Sequence, residues 1–173
     1  MGVKRFGILT LLVIGSFLLQ STLLDILPLR IKPDLILILV IFFSLLNGRR
    51  HGLIMGVTAG LLQDLLRGRL LGMNLLALAL TGWVVGLLED KVYKENILVP
   101  ILVVFLATLL HALAMVILSA IAGLHLTLLT GLYIGVVEAL YNTFLVPLFY
   151  GRFFISSTRG ALSSVTRPNT YQG

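Results

Sequence analysis

From Ile97 to Ala122 the chain runs about 26 residues without one Asp, Glu, Lys or Arg. A helix of that length rises about 39 Å, more than the roughly 30 Å of a bilayer's hydrocarbon core. The rest of the sequence is similar. Hydrophobic residues make up 58% and charged residues 12%, and the mean hydropathy is +1.07. A soluble domain needs about a quarter of its residues charged, so a soluble enzyme, an extracellular sandwich and a disordered tail protein are excluded. The surrounding solvent is lipid. In that setting the net charge of +6 reads as anchoring charge beside anionic headgroups rather than as a nucleic-acid surface. There are no cysteines, hence no disulfide and no thiolate chemistry.

Six apolar segments divide the chain, at about 6–24, 35–46, 52–66, 71–88, 97–122 and 131–150. The first follows Lys4 and Arg5 but lacks a small-residue cleavage site, so it reads as an uncleaved helix and not as a signal peptide. The second and third are short for a span of roughly 20 residues. They either cross a thinned bilayer or form a re-entrant hairpin. With the N-terminus inside, Lys and Arg number nine on the inner side (Lys4, Arg5, Arg49, Arg50, Lys91, Lys94, Arg152, Arg159, Arg167) and four outside (Arg30, Lys32, Arg67, Arg69). That bias favours six spans with both termini cytoplasmic. The expected fold is an all-α integral membrane protein, a six-helix transmembrane bundle over 1–151. A polar tail over 152–173, rich in Ser, Thr and Gly, is expected to be disordered.

Glycines recur at helical spacing. Gly52, Gly56 and Gly60 form a stripe on the third segment that Asp64 continues. Gly82 and Gly86 repeat the spacing on the fourth, and Gly131 and Gly135 lead toward Glu138 and Asn142 on the sixth. Residues four apart share a face, and small residues let two backbones approach closely in lipid. Packing is the simpler reading, and a partner-binding groove is the functional one. The grooves expected to dock a partner are those lined by Gly82/Gly86 and Gly131/Gly135, with Glu138 and Asn142 at their polar end.

Intramembrane ionisable groups are costly and so are functional candidates. Asp64 falls about 3 Å from the outer end of its helix, one turn from Arg67. A solvated ion pair at the helix end is the plain reading; organisation of the outer loop, including a bond from Asn74, is the alternative. Glu138 falls roughly 10 Å below the outer end of the last helix, with Asn142 one turn deeper, and His111 on the neighbouring helix roughly 18 Å down. These three form either a hydrogen-bonded glue or a receiver for a partner's polar group. Pro147 leaves the Thr143 carbonyl without its helical donor, which predicts a kink. No nucleophile-base couple, zinc-binding or phosphate-loop motif is present, so no catalysis, cofactor or metal site is expected.

Lys32-Pro33-Asp34-Leu35, the apolar run to Leu46, and then Gly52-x3-Gly56-x3-Gly60-Leu61-Leu62-Gln63-Asp64-Leu65-Leu66-x-Gly68-x2-Leu71-Gly72-x2-Leu75 resemble the rod shape-determining protein MreD family. The length, six segments, Gln20-Ser21-Thr22 closing the first helix and the short tail agree. The resemblance implies a non-catalytic bacterial inner-membrane subunit of the cell-elongation complex. Its implied partner is the single-span protein MreC, with the actin-like MreB, the glycosyltransferase RodA and a penicillin-binding transpeptidase alongside. It also implies a fold similar to the substrate-binding subunits of energy-coupling-factor transporters, which makes a small-molecule-binding subunit of a vitamin-type transporter the rival function. Those subunits show an Ala-x-x-x-Ala motif on the first helix; here the first alanine is Ala59. A lipid-handling role for Arg67 and Arg69 is a third reading, against simple snorkelling. Nucleic acid is not an expected partner, and a homodimer stays open.

Overall fold

A computed structural model describes residues 14–16, 18, 20, 31–67, 72–89, 97–124 and 127–159, the last ten of these as backbone only. The described residues are helical apart from short connections and contain no strand. Four helices follow one another: α1 (Leu35–Arg67), α2 (Met73–Gly86), α3 (Leu98–Ile121) and α4 (Leu128–Arg159). Residues 14–16, 18 and 20 are also helical, on the first expected segment. The remainder of that segment, most of the loop before Asp34, and the tail beyond Arg159 lie outside the described residues.

The second and third segments are joined in α1, which is not straight. Gly48 has φ 82° and ψ 177°, a left-handed backbone state open to glycine and costly for L side chains. The chain reverses there. Gln63 Nε2 donates to Asp34 Oδ2 at 3.3 Å, although 29 residues of straight helix would part them by about 43 Å. The element is therefore a hairpin, with a first arm over 35–47 and a second arm over 49–67. Arg49, Arg50 and His51, expected as a loop, are helical and open the second arm.

The first arm has an apolar surface on every side, so it must sit inside the bundle. Every residue from Ile36 to Gly48 is buried. Around it stand Met55 and Ala59 of the second arm, Leu78 and Val85 of α2, Val103, Val104 and Ala107 of α3, and Val146 of α4. The helix starts at Leu35 because Asp34 caps it. Asp34 Oδ1 accepts hydrogen bonds from the Ile36 and Leu37 amides, both at 3.0 Å, which satisfies two otherwise orphaned donors.

Glycines set the packing of the second arm on α2. A Cβ on Gly52 would run into the Gly82 carbonyl, one on Gly56 into the Leu78 carbonyl, and one on Gly60 into Leu75 Cα. In the reverse direction, Gly82 meets Gly52 and Gly86 meets the Arg49 backbone. The paired numbers rise on one helix as they fall on the other, so the two are antiparallel with backbones in contact. α3 and α4 form a second antiparallel pair: Gly135 lies against Ala112, and Asn142 lies against Thr108.

Among the described residues, three helices are long and apolar enough to cross a membrane: Leu35–Arg67, Leu98–Ile121 and Leu128–Phe149. The first meets that length only through its two arms together, since it doubles back at Gly48. The first arm and α2 rise only about 20 Å each. α4 continues to Arg159, past the expected end near Tyr150 and through Pro147. The backbone over 152–159 is thus helical where the sequence suggested the start of a disordered tail; that stretch contains no proline or glycine to stop it.

Candidate functional site: a buried polar layer

Leu, Ile and Val supply no directional contacts, so the few polar side chains decide where the helices lock. Among the described residues, those whose hydrogen bonds join different segments gather in two places. The first is centred on Asp34, which is 7% exposed. Its backbone N–H donates to Asn142 Oδ1 at 2.9 Å, and its carboxylate takes the Gln63 bond described above. Asn142 Nδ2 donates in turn to Thr108 Oγ1 at 3.2 Å, and Thr108 Oγ1 donates to the Val104 carbonyl at 2.8 Å. One network thereby ties both hairpin arms to α3 and α4. Thr108 lies ten residues from the start of α3 and thirteen from its end, about 15 and 20 Å. Asp34, expected in an outer loop, is therefore near the mid-depth of the bundle. The signal was present in the sequence: an Asp directly before a long apolar run is a helix-start signature.

The second cluster surrounds Asp64, which is fully buried. Asp64 Oδ2 accepts from the Gly72 amide at 2.8 Å and the Leu75 amide at 3.2 Å. Asp64 Oδ1 accepts from the Asn74 amide at 3.2 Å and from Asn74 Nδ2 at 2.7 Å. These bonds correct the solvated Asp64–Arg67 ion pair: the carboxylate points to the opening turn of α2 and caps it from outside, while Arg67 is exposed. A helix N-terminus offers unpaired amides and partial positive charge, so a carboxylate is the favoured cap. The alternative reading, Asp64 organising the loop with Asn74, is the one this geometry matches.

Glu138, Asn142 and His111 do not form a triad. Asn142 bonds Asp34 and Thr108. His111 is buried, its ring lies against the Ala77 backbone of α2, and its Nδ1 has no partner. Glu138 is half-buried on α4. Asp34 is close enough to act electrostatically on both His111 and Glu138. Gln63 Oε1 is a second buried atom without a partner. Among the described residues, no group of three or more His, Cys, Asp or Glu is placed to hold a metal ion.

The glycine grooves are filled from within. Gly82 and Gly86 are covered by Gly52 and Arg49, and Gly135 by Ala112; Gly131 is buried on the same α4 stripe. Small residues draw in whichever helix lies nearest, and here that helix belongs to the same chain. Those glycine faces are therefore taken up by helices of the same chain. The surface that does face outward on α4 carries Leu129, Tyr133, Leu140, Phe144 and Leu148, with Phe144 78% exposed.

The family model for the rod shape-determining protein MreD matches residues 3–155, a stretch that contains both polar clusters and every helix described above except the last turn of α4. No curated protein and no solved structure matches the chain. With nearly the whole sequence matched, the chain belongs to the MreD family of rod shape-determining membrane proteins.

Proposed function

We propose that this protein is a non-catalytic subunit of the cell-elongation complex, in which it holds the single membrane helix of an MreC-like protein and so supports cell shape and lateral peptidoglycan synthesis. MreB, RodA and a penicillin-binding transpeptidase would be reached indirectly, through that partner. The observation that carries the reading is the family match over residues 3–155. The docking face proposed here is the outward side of α4, because the inward stripe Gly131, Gly135, Asn142 is occupied by the chain itself. Tyr133 and Phe144 on that side supply shape that uniform leucine cannot, and packing shape is the main source of helix selectivity in lipid. The topology proposed with it has six crossings and both termini in the cytoplasm, following the nine-to-four Lys and Arg bias.

Co-purification with the MreC-like partner tests the reading. Tyr133→Ala combined with Phe144→Ala should release the partner while leaving the protein folded, and cells carrying it should round up. Retained partner and normal shape would place the docking face elsewhere. One observation favours the rival transporter reading: His111 Nδ1 and Gln63 Oε1 are buried polar atoms without partners, as a bound small molecule would require. That reading predicts that His111→Leu abolishes uptake of a vitamin and spares cell shape.

A further inference from the structure

The hairpin apex holds a charged feature that the shape-complex reading does not use. A cleft of about 420 Å³ opens there, lined by Asn47, Gly48, Arg49, Arg50, His51 and Glu89 among others. Its frame is fixed. Asn47 Nδ2 donates to the Phe43 carbonyl at 2.9 Å, and His51 Nδ1 donates to the Asn47 carbonyl at 2.9 Å. The Glu89 carboxylate lies over Gly48, where a Cβ would otherwise stand. Arg49 and Arg50 are exposed. Two arginines against one glutamate leave a formal balance of +1 among the Arg and Glu side chains of the cleft.

We propose that this cleft binds the phosphodiester headgroup of a membrane phospholipid carrying one net negative charge. Guanidinium groups take phosphate oxygens in paired, directional hydrogen bonds. The second arm begins at the cleft, and the positive end of its dipole adds to the field there. Glu89 limits the charge that can be accommodated, which favours a singly charged diester over a doubly charged monoester. What selects a lipid over a free phosphate is the surface directly below. Leu53 and Ile54 lie three and four residues beyond Arg50, on the same face of the arm, and both are exposed, as is Leu61 two turns further on. A headgroup held at Arg50 would thus lay its acyl chain along an apolar strip that starts one turn away. Leu87, itself a cleft residue, extends the apolar rim.

The only tryptophan in the chain, Trp83, lies one turn before Gly86 and reports on this end of the bundle. The full-length protein is reconstituted in phosphatidylcholine bilayers containing increasing fractions of phosphatidylglycerol with brominated chains, and Trp83 quenching is followed. Wild-type protein should prefer phosphatidylglycerol. Arg49→Gln combined with Arg50→Gln should lower that preference by roughly fivefold or more. Both side chains are exposed, so the variant retains its core. Lys91→Gln combined with Lys94→Gln removes the same two charges from the neighbouring segment of the chain and should leave the preference unchanged. Millimolar inorganic phosphate should not compete. Equal loss in both double variants would reduce the effect to a surface field, and no loss in the arginine variant, or displacement by free phosphate, would equally overturn the proposal.

Discussion

The hairpin with α2 and the α3–α4 pair solve the same problem by different means. In the first region, helices approach until backbone meets backbone, at Gly52 on Gly82, Gly56 on Leu78 and Gly60 on Leu75. In the second, the close approach of Gly135 to Ala112 is joined by side-chain hydrogen bonds through Asn142 and Thr108. Lipid tails are as apolar as leucine, so neither pair is pushed together by hydrophobic burial; close packing and polar bonds must supply the association. The two regions differ in how much room they leave. The glycine region has none, because a backbone atom cannot rotate out of the way. The α3–α4 pair has side chains that can adjust, and an outer face on α4 that no other described helix covers.

This contrast sets the order of mutational effects. The largest belongs to Gly56→Leu or Gly60→Leu, whose side chains would be driven into α2 backbone; each should destabilise the folded protein by about 3 kcal/mol, read as a lower thermal midpoint in detergent. Equal stability in both variants would detach the stripe from α2. Next comes Asp64→Ala, which leaves the opening amides of α2 and the Asn74 amide group without their acceptor in a buried site and should cost about 2 kcal/mol. Were Asp64 a surface group paired with Arg67, the same change would cost almost nothing, so this variant separates the two descriptions directly. Asn142→Leu should cost about 1 kcal/mol, since polar contacts between membrane helices are individually modest. Its sharper reading is Thr108→Val: if one network joins the two, the double variant should lose less than the sum of the singles. The smallest effect on stability belongs to Phe144→Ala, within about 0.5 kcal/mol, because its side chain faces outward.

Much of the architecture could be read from residues alone. The apolar segments, the polar breaks and the glycine spacing carry the helices and their inward faces, since each is a local property with a period. What escaped was which helix each face would meet. Gly82 and Gly86 look the same in sequence whether they receive Arg49 and Gly52 of the same chain or a foreign helix. Asp64 reads as superficial because it lies close to the end of its own helix; the opening turn of α2 covers it, and no distance along one helix contains that. Asp34 reads as a loop residue for the same reason. Its capping role was legible from the run that follows it, but its depth depends on Asn142 and Thr108, respectively 108 and 74 residues away. The reversal at Gly48 was visible only as an alternative, because one glycine with positive φ does the work usually assigned to a longer loop.

The reversal at Gly48 buries the first arm, brings Asp34 to Gln63 and places the polar layer at mid-depth. The chain has no native cysteines, so paired spin labels can be introduced at Leu35→Cys and Leu66→Cys without background. Double electron–electron resonance in lipid nanodiscs should return a distance below about 25 Å, the spacing of neighbouring antiparallel helices plus the label arms. A distance near 46 Å, the rise of 31 residues of unbroken helix, would contradict the account.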